Sequence, residues 1–187
     1  VLALYYGISG WRARKGVLLL FSYLFYSIWN PPFVLLLILS TFLDWYFARG
    51  AYLLKTRRRR LACMWGSVGV NLGLLGFFKY GGFLVENFQA LTALLGFEFI
   101  PAAPSIILPV GISFYTFQTL SYTIDAYHRK IKPADSFLDY ALYVSFFPQL
   151  VAGPIVRSHT FLPQCIESKR FKIDDLAWGA ALLVIGL

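Results

Sequence analysis

The chain has 187 residues, of which 58% are hydrophobic, 19% aromatic and only 14% charged, and its mean hydropathy is +0.64. Soluble domains carry about 25% charged residues, so these values exclude an ordinary soluble globular domain and point to an integral membrane protein. The net charge of +8 does not imply nucleic acid, because the basic residues flank apolar runs, as the positive-inside rule describes.

The chain starts at Val1 and stops inside the apolar run from Ala180 to Leu187. It is therefore expected to be a fragment: residues 1–187 as one incomplete membrane domain, without a cleavable signal peptide, soluble domain, linker or internal repeat. Cys63 and Cys165 lack metal-ligand spacing and read as buried or idle thiols. No metal site is expected.

A spanning helix needs about 20 mostly apolar residues. Gly16 to Trp29 supplies the first, Asn30-Pro31-Pro32 turns the chain, and Phe33 to Phe47 returns. Arg12, Arg14 and Lys15 precede this hairpin, and Arg49, Lys55 and Arg57 to Arg60 follow it, so both clusters fall on one side, the cytoplasmic side by the rule. Leu61 to Phe78 is the third span, with Gly66, Gly69, Gly73 and Gly76 at helical spacing as a stripe for close helix packing. Phe83 to Phe99, carrying Glu86, Gln89 and Glu98, reads as a separate interfacial amphipathic helix, ended by Pro101 and Pro104.

Ile106 to Tyr127 is the fourth span, with Tyr115, Gln118, Tyr122 and Asp125 recurring on one face. His128, Arg129, Lys130 and Lys132 then bring the chain back to the basic side. Phe137 to Val151 is short, contains Pro148, and is followed at once by Gly153-Pro154. A full crossing would put Arg157, Lys169, Arg170 and Lys172 outside. A re-entrant segment that breaks near Pro148 to Pro154 keeps every Lys and Arg except Lys79 on one side. Leu176 to Leu187 begins a further span. The expected fold is thus all-α, a polytopic transmembrane bundle with a re-entrant segment.

Four segments resemble the membrane-bound O-acyltransferase family, and most closely its alginate O-acetyltransferase branch: NPPFVLLLILSTFLDWYFARG, NLGLLGFFKY, LPVGISFYTFQTLSYTIDAYHRK and FFPQLVAGPIVRSHTFLPQ. The resemblance implies transfer of an acyl group, in this branch usually acetyl, to hydroxyls of an exported polysaccharide. It implies a funnel through a helical bundle, donor entry from the cytoplasm, and a bacterial inner membrane. It implies no bound cofactor. The acyl donor is a co-substrate, a thioester or an acyl-carrier protein, and partners include the lipid bilayer, the polysaccharide acceptor and periplasmic acyltransferases. The family's catalytic histidine lies downstream, so it is expected beyond residue 187, and these 187 residues alone are expected to be inactive.

Acyl transfer needs a base for the hydroxyl proton and donors for the developing oxyanion. Gln149, Gly153, Pro154 and Arg157 form the leading constellation. Prolines free backbone groups, glycine permits close approach, and arginine suits phosphate on a donor's carrier. Arg157 can equally be a positive-inside anchor. Tyr115, Gln118 and Tyr122 either line the funnel or hydrogen-bond between helices. His159, beside Arg157, is a candidate donor-entry contact, and His128 reads as a solvated interfacial residue. Asp125 is expected to pair with Arg129 at i+4, and Asp44, near a span end, either to pair with nearby Arg49 or to be solvated at the helix end. Two other classes stay open: a transporter or channel, since broken helices and midplane polar groups occur there too, and a non-catalytic membrane scaffold.

Overall fold

The computed structural model describes residues 1–28, 31–96, 107–150, 156–168 and 173–186. Gly153 and Pro154, with Asn30, Glu98, Pro101 and Pro104, lie outside the described residues. Every regular element among the described residues is helical: α1 (Leu2–Gly7), α2 (Trp11–Ser27), α3 (Pro31–Leu53), α4 (Arg57–Leu94), α5 (Ile112–Tyr127), α6 (Phe137–Ser145), α7 (Phe147–Leu150), α8 (Ser158–Ile166) and α9 (Ile173–Gly186). The all-α reading is borne out.

Among the described residues, two helices are long and apolar enough to cross a membrane, α3 and α4. Pro31 and Pro32 open α3, where a missing N–H is harmless because first-turn amides lack helical partners anyway. At 23 residues, α3 measures about 35 Å, matching a hydrocarbon core of about 30 Å. The expected fourth span is shorter than anticipated: its helix α5 has only 16 residues.

α4 corrects a second expectation. It runs unbroken for 38 residues, about 57 Å, so the stretch from Phe83 onward is no separate interfacial helix but a continuation of the third span. Glycines within the span, such as Gly69 and Gly73, disfavour a helix in water by about 1 kcal/mol each. In lipid the alternative is unpaired backbone polar groups, and that keeps the helix intact. The glycine stripe on α4 is approached at one point only: a Cβ on Gly66 would meet the Phe47 ring at 3.0 Å, whereas Gly69, Gly73 and Gly76 face open space within 4 Å.

The helices form two packed groups. α3, α4 and α5 pack on one another, and α6 packs on α2 and α8. The groups join where α3 meets α2 and α6. Side-chain bonds locate the basic end of this bundle. Arg60 bonds the Tyr127 carbonyl at the end of α5 and the Ala51 carbonyl near the end of α3. Trp45 and Arg49 donate to the Ala134 carbonyl at 2.9 and 3.2 Å. At the opposite end the Phe33 and Phe78 rings meet edge to face, and the Tyr26 hydroxyl donates to the Val110 carbonyl at 3.0 Å.

Gly111 occupies the turn into α5 with φ of +75°, and a Cβ there would sit 2.7 Å from the Leu150 carbonyl oxygen at the end of α7. Two constraints therefore demand glycine, a left-handed backbone and the close approach of α7. Gly111→Ala is expected to destabilise the fold by about 2 kcal/mol, from a left-handed cost of roughly 1–2 kcal/mol plus displacement of Leu150. Thermal unfolding of the purified full-length variant in detergent measures this.

Candidate functional site: a broken helical hairpin

α6 begins at the basic end. Its N-terminal Asp139 pairs with Lys15 near the start of α2. It ends nine residues later, after about 13 Å, which is under half of a bilayer core. Phe146 then adopts a non-helical conformation with ψ of 111°, and the one-turn helix α7 follows, holding Pro148. On the far side of residues 151–155, α8 runs back. The Tyr143 hydroxyl on α6 lies 3.4 Å from the Val156 carbonyl, the Phe161 ring packs against Phe146, and the Ile166 carbonyl accepts the Trp11 indole N–H at 3.0 Å. Ile166 therefore returns to the level of Trp11, beside the basic end from which α6 started. Entry and exit on one side define a re-entrant hairpin.

A broken helix strands its last carbonyls and the first amides beyond. Two side chains meet them here. Gln118 Nε2 donates to the Tyr143 carbonyl in the last turn of α6 at 3.0 Å. The Phe147 N–H, the first beyond the break, donates to Ser22 Oγ of α2 at 3.2 Å.

Of the residues singled out from sequence, Gln149 lies in α7 with 8% of its surface exposed. Its side-chain Nε2 finds no acceptor among the described residues. Arg157 is the exposed N-cap of α8. Nine residues of helix, about 13 Å, separate it from the basic end at Ile166. It lies at the inner end of the hairpin rather than at its base, together with exposed His159 on the first turn of α8. Tyr115, Gln118 and Tyr122 are all buried between helices. Tyr122 stacks on Tyr140 with centroids 4.6 Å apart, and its hydroxyl accepts the Ala134 N–H at 2.8 Å. His128 is exposed at the end of α5.

Two expected ion pairs are corrected. Asp125 contacts Lys130 at 3.9 Å and not Arg129, because Arg129 turns into the left-handed region at φ of 59° and leaves the helical i+4 geometry. Asp44 does not pair with Arg49, whose guanidinium reaches the loop after α5, bonding the Asp135 carbonyl at 2.9 Å and lying 3.7 Å from its carboxylate. In that exposed loop Lys132 hydrogen-bonds Asp135 at 2.9 Å, which holds the Asp135 carboxyl below its ordinary range and raises Lys132.

Asp44 is instead the centre of a polar node that spacing alone did not mark. It is 1% exposed and lies nine residues, about 14 Å, before the end of α3. Its Oδ1 accepts hydrogen bonds from Ser67 Oγ and Asn71 Nδ2 of α4, both at 2.6 Å. Thr119 of α5 donates to Asn71 Oδ1 at 3.0 Å, and Ser67 Oγ also reaches Thr123 of α5 at 3.2 Å. One carboxylate thus ties α3 to α4 and, through Asn71 and Ser67, to α5. The signal in the sequence was Ser67 and Asn71 at i and i+4, a polar face on an otherwise apolar span.

No family model and no solved structure matches the chain. Curated relatives do. The chain is 35% identical over 188 residues to the "Probable alginate O-acetylase AlgI" of Pseudomonas putida, covering 99% of this chain and 38% of that protein. To the protein of the same name from Pseudomonas aeruginosa it is 36% identical, covering 99% of this chain and 35% of the relative. To the "Peptidoglycan O-acetyltransferase" of Helicobacter pylori it is 33% identical over 198 residues, covering 91% and 36%. The chain thus spans about a third of the length of these relatives. The resemblance to the alginate O-acetylase branch of the membrane-bound O-acyltransferases is borne out along almost all of it.

Asp44→Ala lets Ser67 turn to Thr123 but leaves one buried Asn71 N–H without its acceptor, and is expected to lower stability by about 1–3 kcal/mol. Asp44→Asn keeps an acceptor in place and is expected to lose less. Thermal melts of the two full-length variants in detergent compare them.

Proposed function

We propose that this chain forms part of the membrane core of an O-acyltransferase. The enzyme moves an acyl group, in the simplest case acetyl, from a cytoplasmic thioester or carrier protein to a hydroxyl of an exported polysaccharide. The names of its curated relatives, alginate O-acetylase and peptidoglycan O-acetyltransferase, support this reaction class. A bacterial inner membrane is the setting this reading implies, with periplasmic acyltransferases as partners.

The observation that carries the reading is the placement of Arg157. A charged side chain well inside a membrane is unfavourable and marks a site by default, and here it stands exposed at the inner end of a broken hairpin. Its fork of donors suits a phosphate group of the donor or its carrier, with His159 as a second contact. Gln149 has a buried amide with donor capacity unmet among the described residues, at the hairpin tip, suited to the acyl carbonyl oxygen as negative charge develops there. The acceptor hydroxyl attacks the acyl carbon, its proton passes to a general base, and the thiolate leaves. The base is assigned to a histidine outside these residues, as the family resemblance implies.

The test is transfer of labelled acetyl groups by the full-length protein in membranes. Arg157→Ala removes a charge-assisted bond of about 1.5–3 kcal/mol, so kcat/KM for the donor is expected to fall roughly tenfold to a hundredfold. Gln149→Ala is expected to lower kcat. Wild-type rates in both folded variants would contradict the assignment of the site. Substrate flux through proteoliposomes without acyl turnover would put a transporter in place of the enzyme.

A further inference from the structure

One stripe of α2 grips the hairpin at three heights. Trp11, Lys15 and Ser22 are spaced by four and seven residues, which sets them within about 40° of one another around the helix. Trp11 holds the base of the return leg through the Ile166 carbonyl. Lys15 holds the base of the entering leg through Asp139. Ser22 holds the tip through the Phe147 N–H. The heights match: Lys15 to Ser22 rises about 10 Å along α2, and Asp139 to Ser145 about 9 Å along α6.

Of these three contacts, the ion pair has the least freedom to slide. Lys15 and Asp139 are 5% and 7% exposed, and the Lys15 ammonium also lies 5.8 Å from the centre of the Trp11 ring. A buried ion pair is often no more stabilising than a well-packed apolar pair, and its best-attested use is to fix one register among several. Apolar side chains could let α6 settle at more than one height against α2. A carboxylate seeking one buried ammonium has a single position.

We propose that Lys15 and Asp139 are positioning residues that set the depth of the hairpin tip, and with it the placement of Gln149 and Arg157. The effect on rate rests on the O-acyltransferase reading above, whereas the depth of the tip can be read without it.

The experiment uses the full-length protein in membranes, in a cysteine-free background carrying Phe25→Cys and Phe147→Cys, two positions whose rings meet with centroids 5.8 Å apart and which leave the Ser22 contact in place. Disulfide formation between these two positions reports the register of the tip. Acetyl transfer is measured separately in the native background. Lys15→Met and Asp139→Asn are each expected to abolish cross-linking. In the apolar double variant, Lys15→Met with Asp139→Leu, membrane accumulation and thermal stability are expected to recover while cross-linking stays low. Its kcat is expected to stay down by about a hundredfold, the penalty for a misplacement near 1 Å, with KM little changed. If the single variants do not accumulate, the double variant alone decides. Wild-type cross-linking in the double variant would overturn the proposal, as would a double variant that fails to accumulate, since the pair would then be structural only. Low cross-linking with no acyl transfer by the wild type would uphold the positioning role and remove the enzymatic reading instead.

Discussion

Breaking a helix inside a membrane strands backbone amides and carbonyls where no water reaches them, and the hairpin depends on how that loss is met. Gln118 caps the Tyr143 carbonyl at the end of α6, and Ser22 accepts the Phe147 N–H just beyond. Gly111, which has no side chain, lets the end of α7 settle against the turn into α5. Two elements remote in sequence, α2 and α5 with its entry turn, thus converge on one break, and α6 can stop at mid-depth and turn back only because they do.

The remainder of the bundle makes those two elements rigid. α5, which carries Gln118, is tied to α3 and α4 through the Asp44 node, whose short hydrogen bonds join all three helices. α2, which carries Ser22, is fixed at the basic end by Lys15 and Asp139. The hairpin hangs between a polar-locked trio on one side and a single gripping helix on the other. The placement of Gln149 and Arg157 then follows from the scaffold and not from the hairpin's own few residues.

Much of this was legible in the sequence, because spans, turns and basic flanks are written locally. Pro31-Pro32 marked the turn into α3, and the basic residues together with Pro148 marked the hairpin as re-entrant. What escaped were relations between distant residues. Lys15 and Asp139 are 124 positions apart, and each by itself looks like an ordinary interfacial charge. Asp44 has Arg49 five residues on, which suggested a local pair. On a helix, five residues turn the side chain away, and the polar face of α4 supplied the partners instead. The amphipathic composition after Phe83 suggested a separate helix, but composition does not reveal that the backbone continues unbroken through glycine. Arg157 was counted with the cytoplasmic charges because distance along the chain does not give depth. The bundle shows only its relative height: Ile166, and not Arg157, meets Trp11 at the basic end.

A re-entrant hairpin requires that the chain enter and leave the membrane on one side between α6 and α8. Single cysteines in place of Ser136, just before α6, and Ser168, just after α8, both exposed, test it most directly with a membrane-impermeant maleimide on sealed vesicles of known orientation. Labelling of both positions from the same face, the one that also labels a cysteine in the Arg57 to Arg60 cluster, is the expected result. Labelling from opposite faces would make the segment a complete crossing and contradict the account.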